Sequence, residues 1–139
     1  MKNYEGIVVI DEAYIDFSAY PSFLKELSGF PNLIVLQTLS KAWGAAGIRL
    51  GMAFASPEII GVLNKIKYPY NVNQLTQEKA LELLSDEATM KHQVNEILTE
   101  RNRLEKILSE PPFSYQVYPS DANFLLVNVG KADAMYNGS

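Results

Sequence analysis

The chain has 139 residues, 47% of them hydrophobic, which suffices for one ordinary domain core but is short for a complete two-domain cofactor enzyme. The formal net charge is −4, the basic residues are scattered, and no apolar run approaches the roughly 20 residues of a membrane helix, so we expect a cytoplasmic protein with a small-molecule partner and neither nucleic acid nor membrane. With no cysteine and one histidine, the chain has no disulfide and no predicted metal site.

The first third of the chain predicts two strands separated by a short helix. Residues 6–10 form a β-branched run typical of a parallel strand buried on both faces. Residues 21–27 predict a short helix with a proline near its start, and residues 33–36 predict the second strand. Asp11 follows the first strand directly, and Thr38 and Lys41 follow the second. Because ligands of open α/β sheets bind beyond the carboxyl ends of strands, we expect these polar residues to meet in one crevice.

The remainder of the chain predicts one further strand, three helices and a final pair of strands. Residues 50–55 form the strand, and Ser56 with Pro57 is typical of a capped helix start. Apolar residues at helical spacing continue this helix to residue 66, and a second helix is predicted around residues 76–84. A long helix is predicted over residues 87–109, with a core-facing stripe that runs from Val94 to Leu108. Residues 114–118 and 123–129 predict the strand pair, and residues 131–136 predict the beginning of another helix.

Two motifs carry the candidate chemistry. The first reads DEAYIDF over residues 11–17, and the second reads TLSKAWGAAGIRLG over residues 38–51. In the second motif, Lys41 stands among glycines and small residues, with hydroxyl groups before it and Arg49 after it. Such a lysine offers an amine to a carbonyl, while neighbouring donors can hold a phosphate. The glycines are predicted to serve turn geometry and close backbone approach.

These motifs resemble those of the fold-type I pyridoxal-phosphate aminotransferases, and most closely the histidinol-phosphate aminotransferase family of histidine biosynthesis. The segment DANFLLV at residues 121–127 resembles a strand of the family's small domain. The resemblance implies an α/β fold with a mostly parallel sheet flanked by helices, in which strand 50–55 is antiparallel, plus part of a smaller α/β domain. Residues 1–73 would be the second half of the large cofactor-binding domain, and residues 74–139 the linking helices and the first part of the small domain.

The resemblance also implies pyridoxal 5'-phosphate as the cofactor and gives roles to three residues around its ring. Lys41 would be the catalytic residue, which forms an imine with the cofactor and then moves a proton as general base. Asp11 would face the pyridine nitrogen and keep it protonated, so that the ring accepts electrons. Tyr14 would donate a hydrogen bond to the phenolic oxygen of the cofactor.

Three further residues would bind the cofactor phosphate. Arg49 offers a planar, permanently charged fork that suits two phosphate oxygens. Thr38 and Ser40 would add hydroxyl donors, although hydroxyl groups before a small-residue turn also commonly bond to local backbone.

Several other residues have a simpler interpretation. His92 lies in a charged helical stretch and is predicted to be exposed, and Trp43 is predicted to pack rather than to contact substrate. Glu12 and Asp16 lie near Asp11 in the sequence, but nothing else in the chain supports a glycosidase-like carboxylate pair.

The resemblance predicts histidinol phosphate as amino donor, 2-oxoglutarate as the 2-oxo acid, and a homodimer in the intact enzyme. Because family segments that complete the site and bind the substrate are not found in the 139 residues, we expect the chain to be a fragment that is inactive alone. A threonine-phosphate decarboxylase or an aromatic or broad-range aminotransferase would use the same Lys41, Asp11 and Arg49. A non-catalytic regulatory domain of the same fold, or a plain interaction domain, is the alternative from a different class.

Overall fold

A computed structural model describes residues 4–130 and 132. Its larger sheet has three strands, β1 (Val8–Asp11), β2 (Leu33–Thr38) and β3 (Gly51–Ala55), in that spatial order. Strand β1 is parallel to β2, and β3 is antiparallel to β2, as predicted. In the described residues, this sheet therefore has one parallel and one antiparallel pairing.

Short 3-10 helices, rather than α-helices, connect these strands. They are Ile15–Phe17 and Phe23–Gly29 between β1 and β2, and Ala46–Ile48 between β2 and β3. The helix predicted at residues 21–27 is thus the second 3-10 helix, displaced by two residues. It begins later because Ser22 acts as the N-cap, with its Oγ accepting a hydrogen bond from the Leu24 N–H at 3.0 Å.

Between the larger sheet and the smaller one described below, the chain forms three α-helices: α1 (Pro57–Ile66), α2 (Gln74–Leu84) and α3 (Glu87–Ser109). Each has an N-cap side chain that accepts a hydrogen bond from the first turn; the caps are Ser56, Asn73 and Asp86. The predicted cap of α1 and the predicted bounds of α3 are both confirmed. None of the helices in the described ranges is long and apolar enough to cross a membrane.

A second, smaller sheet follows α3. Strands β4 (Gln116–Tyr118) and β5 (Leu126–Asn128) form an antiparallel pair that is shorter than the predicted strands. Arg101 of α3 donates a hydrogen bond to the Ala122 carbonyl at 2.8 Å, which ties the connection between these strands to the helix. The helix predicted at residues 131–136 lies outside the described residues, except for position 132.

Two groups of buried side chains hold the segment between β2 and β3. One group joins Ala42 to the Asp11 motif and to α3, and consists of Phe17, Ala42, Met90 and Val94. The other joins the segment to α2, and consists of Leu39, Ala45 and Ala80. The half-buried Trp43 packs against both groups, as its predicted packing role requires. Buried side chains on both sides therefore anchor the exposed Lys41.

The prediction that the first strand is buried on both faces is wrong. Its side chains alternate, because Val8 and Ile10 are half-buried whereas Val9 is 54% exposed. The reason is that, among the described residues, little packs over the face of the sheet that carries Val9.

The apolar stripes predicted to face the core on α1 and α3 are only partly buried. In α1, Val62 and Ile66 are exposed. In α3, Val94 is buried and Leu98 is half-buried, but three members of the stripe are exposed: Ile97, Leu104 and Ile107. Each helix contacts the described part of the protein along a narrower face than its periodicity predicts.

Candidate functional site

The carboxyl ends of β1 and β2 lie side by side, so the two sequence motifs meet at one edge of the sheet. Asp11 is the last residue of β1 and pairs with Leu36, and Thr38 is the last residue of β2 and pairs with Gly51. A cleft of about 370 Å³ opens here, lined by Asp11, Thr38 and the adjoining backbone of β3. The predicted crevice is therefore present with Asp11 and Thr38 in its wall, but Lys41, which was expected in it as well, does not line it.

Asp11 is exposed at the end of its strand. Its Oδ1 accepts a hydrogen bond from the Ala13 N–H at 2.9 Å, which shapes the turn that leads to Tyr14. In the part of the chain that the structure describes, Oδ2 has no hydrogen-bond partner. One carboxylate oxygen thus organises the turn, and the other faces outward, where it can accept a hydrogen bond from a protonated nitrogen.

Lys41 and Tyr14, which belong to different motifs, are close in space. The Lys41 Nζ lies 5.1 Å from the centroid of the Tyr14 ring. Gly44 turns the backbone after the lysine: its φ is +63°, and its N–H donates to the Lys41 carbonyl at 3.0 Å. The amine is exposed, and it does not line the cleft that holds Asp11 and Thr38.

Thr38 and Ser40 form a small hydroxyl network at the end of β2. The Thr38 Oγ1 lies 2.9 Å from the Ser40 Oγ and 3.1 Å from the Leu50 carbonyl oxygen, and it accepts a hydrogen bond from the Ser40 N–H at 3.1 Å. The Thr38 hydroxyl has a single proton, which it can donate either to the Ser40 Oγ or to the Leu50 carbonyl oxygen. When it goes to Ser40, the Ser40 proton is available to an external anion. Ser40 is therefore the better donor to a ligand.

Arg49 lies after the third 3-10 helix in the left-handed backbone region, with φ 55° and ψ 43°. A non-glycine residue in this region is uncommon. The side chain is exposed, and its Nη1 donates to the Ala46 carbonyl at 2.9 Å. Since a guanidinium has five N–H donors, the others remain for an anionic group.

Glu12 is a residue whose position the sequence interpretation missed. It is 6% exposed, and its carboxylate accepts hydrogen bonds from the Ser22 hydroxyl (2.6 Å), the Phe23 N–H (2.7 Å) and the Gln37 amide (2.9 Å). Side chains of a strand alternate in direction, so an outward-facing Asp11 implies an inward-facing Glu12. That alternation is the signal that would have found it.

Asp16, in the same motif, is an exposed residue whose carboxyl group is partly shielded from water. Partial burial raises the pKa of Asp16 above its ordinary value. A backbone hydrogen bond opposes this shift in part, and the neighbouring Glu12 carboxylate adds a smaller upward contribution. Three donors within the protein already occupy the Glu12 carboxylate. Glu12 and Asp16 therefore do not form a catalytic carboxylate pair.

His92, the one histidine, is exposed on α3. Its Nε2 lies 3.6 Å from the Glu96 carboxylate on the same helix face. This position agrees with the predicted surface role.

The site thus combines an exposed amine, an outward carboxylate oxygen, a hydroxyl pair and an exposed guanidinium around the ends of β1 and β2. An amine can attack a carbonyl, a carboxylate can hold a cationic nitrogen, and a guanidinium with hydroxyl groups can hold a phosphate. These groups suit a ligand that carries all three functions.

Comparisons with known proteins point in the same direction. The family model described as aminotransferase class I and II matches residues 1–137. The chain is 98% identical over 138 residues to the histidinol-phosphate aminotransferase of Parabacteroides distasonis, and 57% identical over 137 residues to that of Bacteroides fragilis. Each alignment covers 99% of this chain and 40% of the relative, so the chain spans about two fifths of the length of these proteins.

A solved structure has a similar fold. It is the histidinol-phosphate aminotransferase of Sinorhizobium meliloti in complex with pyridoxal-5'-phosphate, at a TM-score of 0.79 and 31% sequence identity. The match covers 94% of this chain and 35% of the other. The α/β fold class of the fold-type I aminotransferases is thereby confirmed for the chain.

Proposed function

The chain belongs to the class I and II aminotransferase family, and from this membership we propose that it supplies the cofactor-binding half-site of a histidinol-phosphate aminotransferase. The observation that carries the proposal is the meeting of the Lys41 amine with the Tyr14 ring, beside the strand end that carries Asp11. A lysine amine and a carboxylate at neighbouring strand ends are the two groups that a pyridoxal cofactor requires of its protein.

We propose pyridoxal 5'-phosphate as the cofactor, and the donor set fits it. Asp11 has an outward oxygen for the ring nitrogen, Lys41 has an exposed amine for the aldehyde carbon, and Arg49 has spare donors for the phosphate. When bound, the cofactor supplies a ring that accepts electrons from the substrate carbon. The Sinorhizobium meliloti protein, which has the same fold, was solved in complex with pyridoxal-5'-phosphate.

We propose the following roles for the chain's own residues, from the family resemblance and from where these residues lie. Lys41 binds covalently and, when released, takes the proton from the substrate carbon and returns it elsewhere, as a catalytic general base. Asp11 holds a proton on the ring nitrogen by charge pairing. Tyr14 orients the ring through its hydroxyl, while its aromatic face keeps the lysine side chain nearby.

Arg49 and Ser40 bind the phosphate in this proposal, and Thr38 contributes mainly by aligning Ser40. The support is the hydroxyl network, in which Thr38 has two local acceptors within reach while Ser40 can turn its proton outward. Charge-assisted hydrogen bonds of this kind each contribute about 1.5–3 kcal/mol, so the guanidinium is the strongest of these contacts.

The proposed reaction transfers the amino group of histidinol phosphate to 2-oxoglutarate and yields imidazole acetol phosphate and glutamate. Two relatives named for this activity, at 98% and 57% identity, support the choice of substrates. We further propose a cytoplasmic homodimer for the whole enzyme, on the family resemblance and on the absence of cysteine from these residues. The 139 residues alone are expected to be inactive, since they span 40% of the length of those relatives.

The test places this chain within a full-length protein. The aligned segment of the Parabacteroides distasonis relative is replaced by this chain, to which it is 98% identical, and the hybrid is compared with its Lys41→Ala and Lys41→Arg variants. We expect a visible absorption band with added pyridoxal phosphate in the parent hybrid alone, and a borohydride-fixed adduct on the peptide that carries Lys41.

The same hybrid tests the substrates. Amino transfer from histidinol phosphate to 2-oxoglutarate is measured beside decarboxylation of threonine phosphate and transfer from aromatic amino acids. A hybrid with no Lys41-dependent band would overturn the proposed cofactor role. A normal band with faster turnover of threonine phosphate or aromatic substrates would overturn the proposed substrate.

A further inference from the structure

The most deeply buried charged group in the described residues is the Glu12 carboxylate, and the proposed chemistry gives it no task. It is 6% exposed and lies between Asp11 and the turn to Tyr14. Burying a carboxylate is costly unless hydrogen bonds compensate for lost water, and three donors do so here.

The three donors come from two separate parts of the fold. The Ser22 hydroxyl and the Phe23 N–H belong to the start of the second 3-10 helix, while the Gln37 amide projects from β2. The Gln37 amide also lies 3.4 Å from the Ser22 Oγ, which closes the network on itself. Glu12 therefore clamps the end of β1 to both the neighbouring strand and the connecting helix.

The positions of the clamped residues are what tie this network to the site. Glu12 directly follows Asp11, and Gln37 directly precedes Thr38. The Glu12 N–H donates to the Leu36 carbonyl at 2.8 Å, and the side-chain hydrogen bond from Gln37 to Glu12 adds a second link between the strand end that carries Asp11 and the one that carries Thr38. Removal of the Glu12 carboxylate leaves both the Phe23 N–H of the connecting helix and the Gln37 amide of β2 without that acceptor.

We propose that Glu12 is a positioning residue, which holds the Asp11 and Tyr14 turn in register with the Thr38 end of β2 and thereby sets cofactor affinity. This inference rests on the proposed function, because it concerns the same half-site. Glu12 does not touch the cofactor in this scheme and acts through its neighbours.

The test compares variants that break the clamp with one that preserves it. Glu12→Ala removes the acceptor, and Gln37→Leu removes the donor from β2 but leaves Ser22 and Phe23 bonded to Glu12. The double variant Glu12→Gln/Gln37→Glu exchanges the two groups, so a hydrogen bond between the positions remains with its direction reversed. If Gln37 contacted the cofactor itself, this exchange would disturb that contact as strongly as Gln37→Leu does.

A matched control exists at the opposite end of the same two strands. The Asn32 amide donates to the Gly6 carbonyl at 2.8 Å and to the Tyr4 carbonyl at 3.0 Å, and so joins the start of β2 to the residues before β1. Asn32→Ala removes a side-chain clamp of comparable size that is remote from the strand ends of the site. Any change in cofactor affinity of the Asn32→Ala variant therefore shows how much lost stability alone affects binding.

All variants are made in the hybrid protein described above, and three quantities are measured: the dissociation constant for pyridoxal phosphate, the pH midpoint of the absorption band of the bound cofactor, and the urea midpoint of unfolding. We expect Gln37→Leu, which removes one charge-assisted hydrogen bond, to weaken cofactor binding by about tenfold, and Glu12→Ala, which removes the acceptor of three, to weaken it by at least as much. Both variants should shift the pH midpoint. The exchanged pair is expected to bind within about threefold of the parent. Asn32→Ala should lower the urea midpoint and leave the other two quantities unchanged.

The outcomes separate this inference from the function on which it rests. A parent hybrid without a Lys41-dependent band contradicts the proposed function itself. A parent that binds normally, with clamp-breaking variants whose affinity and pH midpoint match those of Asn32→Ala, overturns the positioning role. If Glu12→Ala does not fold, the affinity and pH midpoint of Gln37→Leu and of the exchanged pair are compared with those of Asn32→Ala instead.

Discussion

The Lys41 Nζ lies 5.1 Å from the centroid of the Tyr14 ring, and the ring of Phe124 meets Tyr14 edge-on, with 5.6 Å between the ring centroids. Tyr14 thus stands between the lysine segment and the connection that leads into β5. A ring held by an aromatic neighbour keeps a defined orientation. The phenol hydroxyl is therefore separable from the ring as a functional group.

Replacing Tyr14 by phenylalanine removes the hydroxyl and keeps the ring contacts. We expect the free energy of unfolding to change by less than about 0.5 kcal/mol, as for a surface substitution that breaks no protein hydrogen bond. Affinity for pyridoxal phosphate should fall by about tenfold, since one hydrogen bond of about 1 kcal/mol or slightly more is lost. Urea unfolding and an absorbance titration of the hybrid protein measure the two effects. Equal cofactor affinity in the variant would contradict the role of the hydroxyl.

Replacing Asp11 by asparagine tests the pairing with the ring nitrogen. Asparagine keeps an oxygen for the Ala13 N–H, so the turn is preserved, but it lacks the charge that holds a proton on a ligand nitrogen. We expect cofactor affinity to fall by about tenfold or more, as for a lost hydrogen bond to a charged group, with little change in stability. Asp16→Asn, a charge-matched change in the same motif, is the control and should leave affinity unaltered. If both variants bind alike, Asp11 has no special part in binding.

The sequence predicted the local structure best where adjacent residues determine it without help from the rest of the fold. Ser56 with Pro57 marks a helix start by chemistry that needs no tertiary partner, and the structure has that cap. The meeting of Asp11 and Thr38 was predictable for a similar reason, because neighbouring strands bring their ends to one edge.

Burial was predicted less well, because it depends on what packs over a surface. Val9 has the side chain of a core residue, yet it is 54% exposed on an edge strand. Glu12 has the side chain of a surface residue, yet it is buried by donors from Ser22 and Gln37, which are distant in the sequence. Neither outcome is a property of the local pattern, since both are decided by tertiary neighbours.

The left-handed backbone at Arg49 allows its backbone and its guanidinium to be tested separately. Arg49→Gly relieves the strain of a Cβ at φ 55°, whereas Arg49→Ala retains it, so we expect the glycine variant to be more stable by about 1 kcal/mol. Both variants lose the guanidinium. Their affinity for pyridoxal phosphate should therefore fall by at least about tenfold, while their affinity for pyridoxal, which has no phosphate, should stay near that of the parent.

Urea unfolding and paired titrations with the two ligands check these expectations for Arg49. Equal stability of the glycine and alanine variants would show that the backbone position is not strained. A parallel loss of affinity for both ligands would show that the guanidinium acts on something other than the phosphate.

The raised pKa of Asp16 predicts a contribution to stability that depends on pH. The folded state disfavours the ionised carboxylate, so stability from this group is fully present below its unfolded value of 3.8 and is lost as the pH rises through the higher folded value. At neutral pH, the ionised Asp16 carboxylate is partly buried beside Glu12 and slightly destabilises the folded state. Asp16→Asn removes the charge and keeps an oxygen for the backbone hydrogen bond.

We therefore expect Asp16→Asn to stabilise the protein at pH 7, by less than about 1 kcal/mol because solvent screens an exposed carboxylate. The gain should shrink as the pH is lowered through the raised folded pKa toward 3.8, because the parent carboxyl group takes up its proton in the folded state before it does so in the unfolded chain. Urea midpoints of the variant and the parent, measured in parallel from pH 4.5 to 7.5, follow this difference. A gain that grows on acidification would reverse the sign and would mean that the folded state favours the charged form of Asp16.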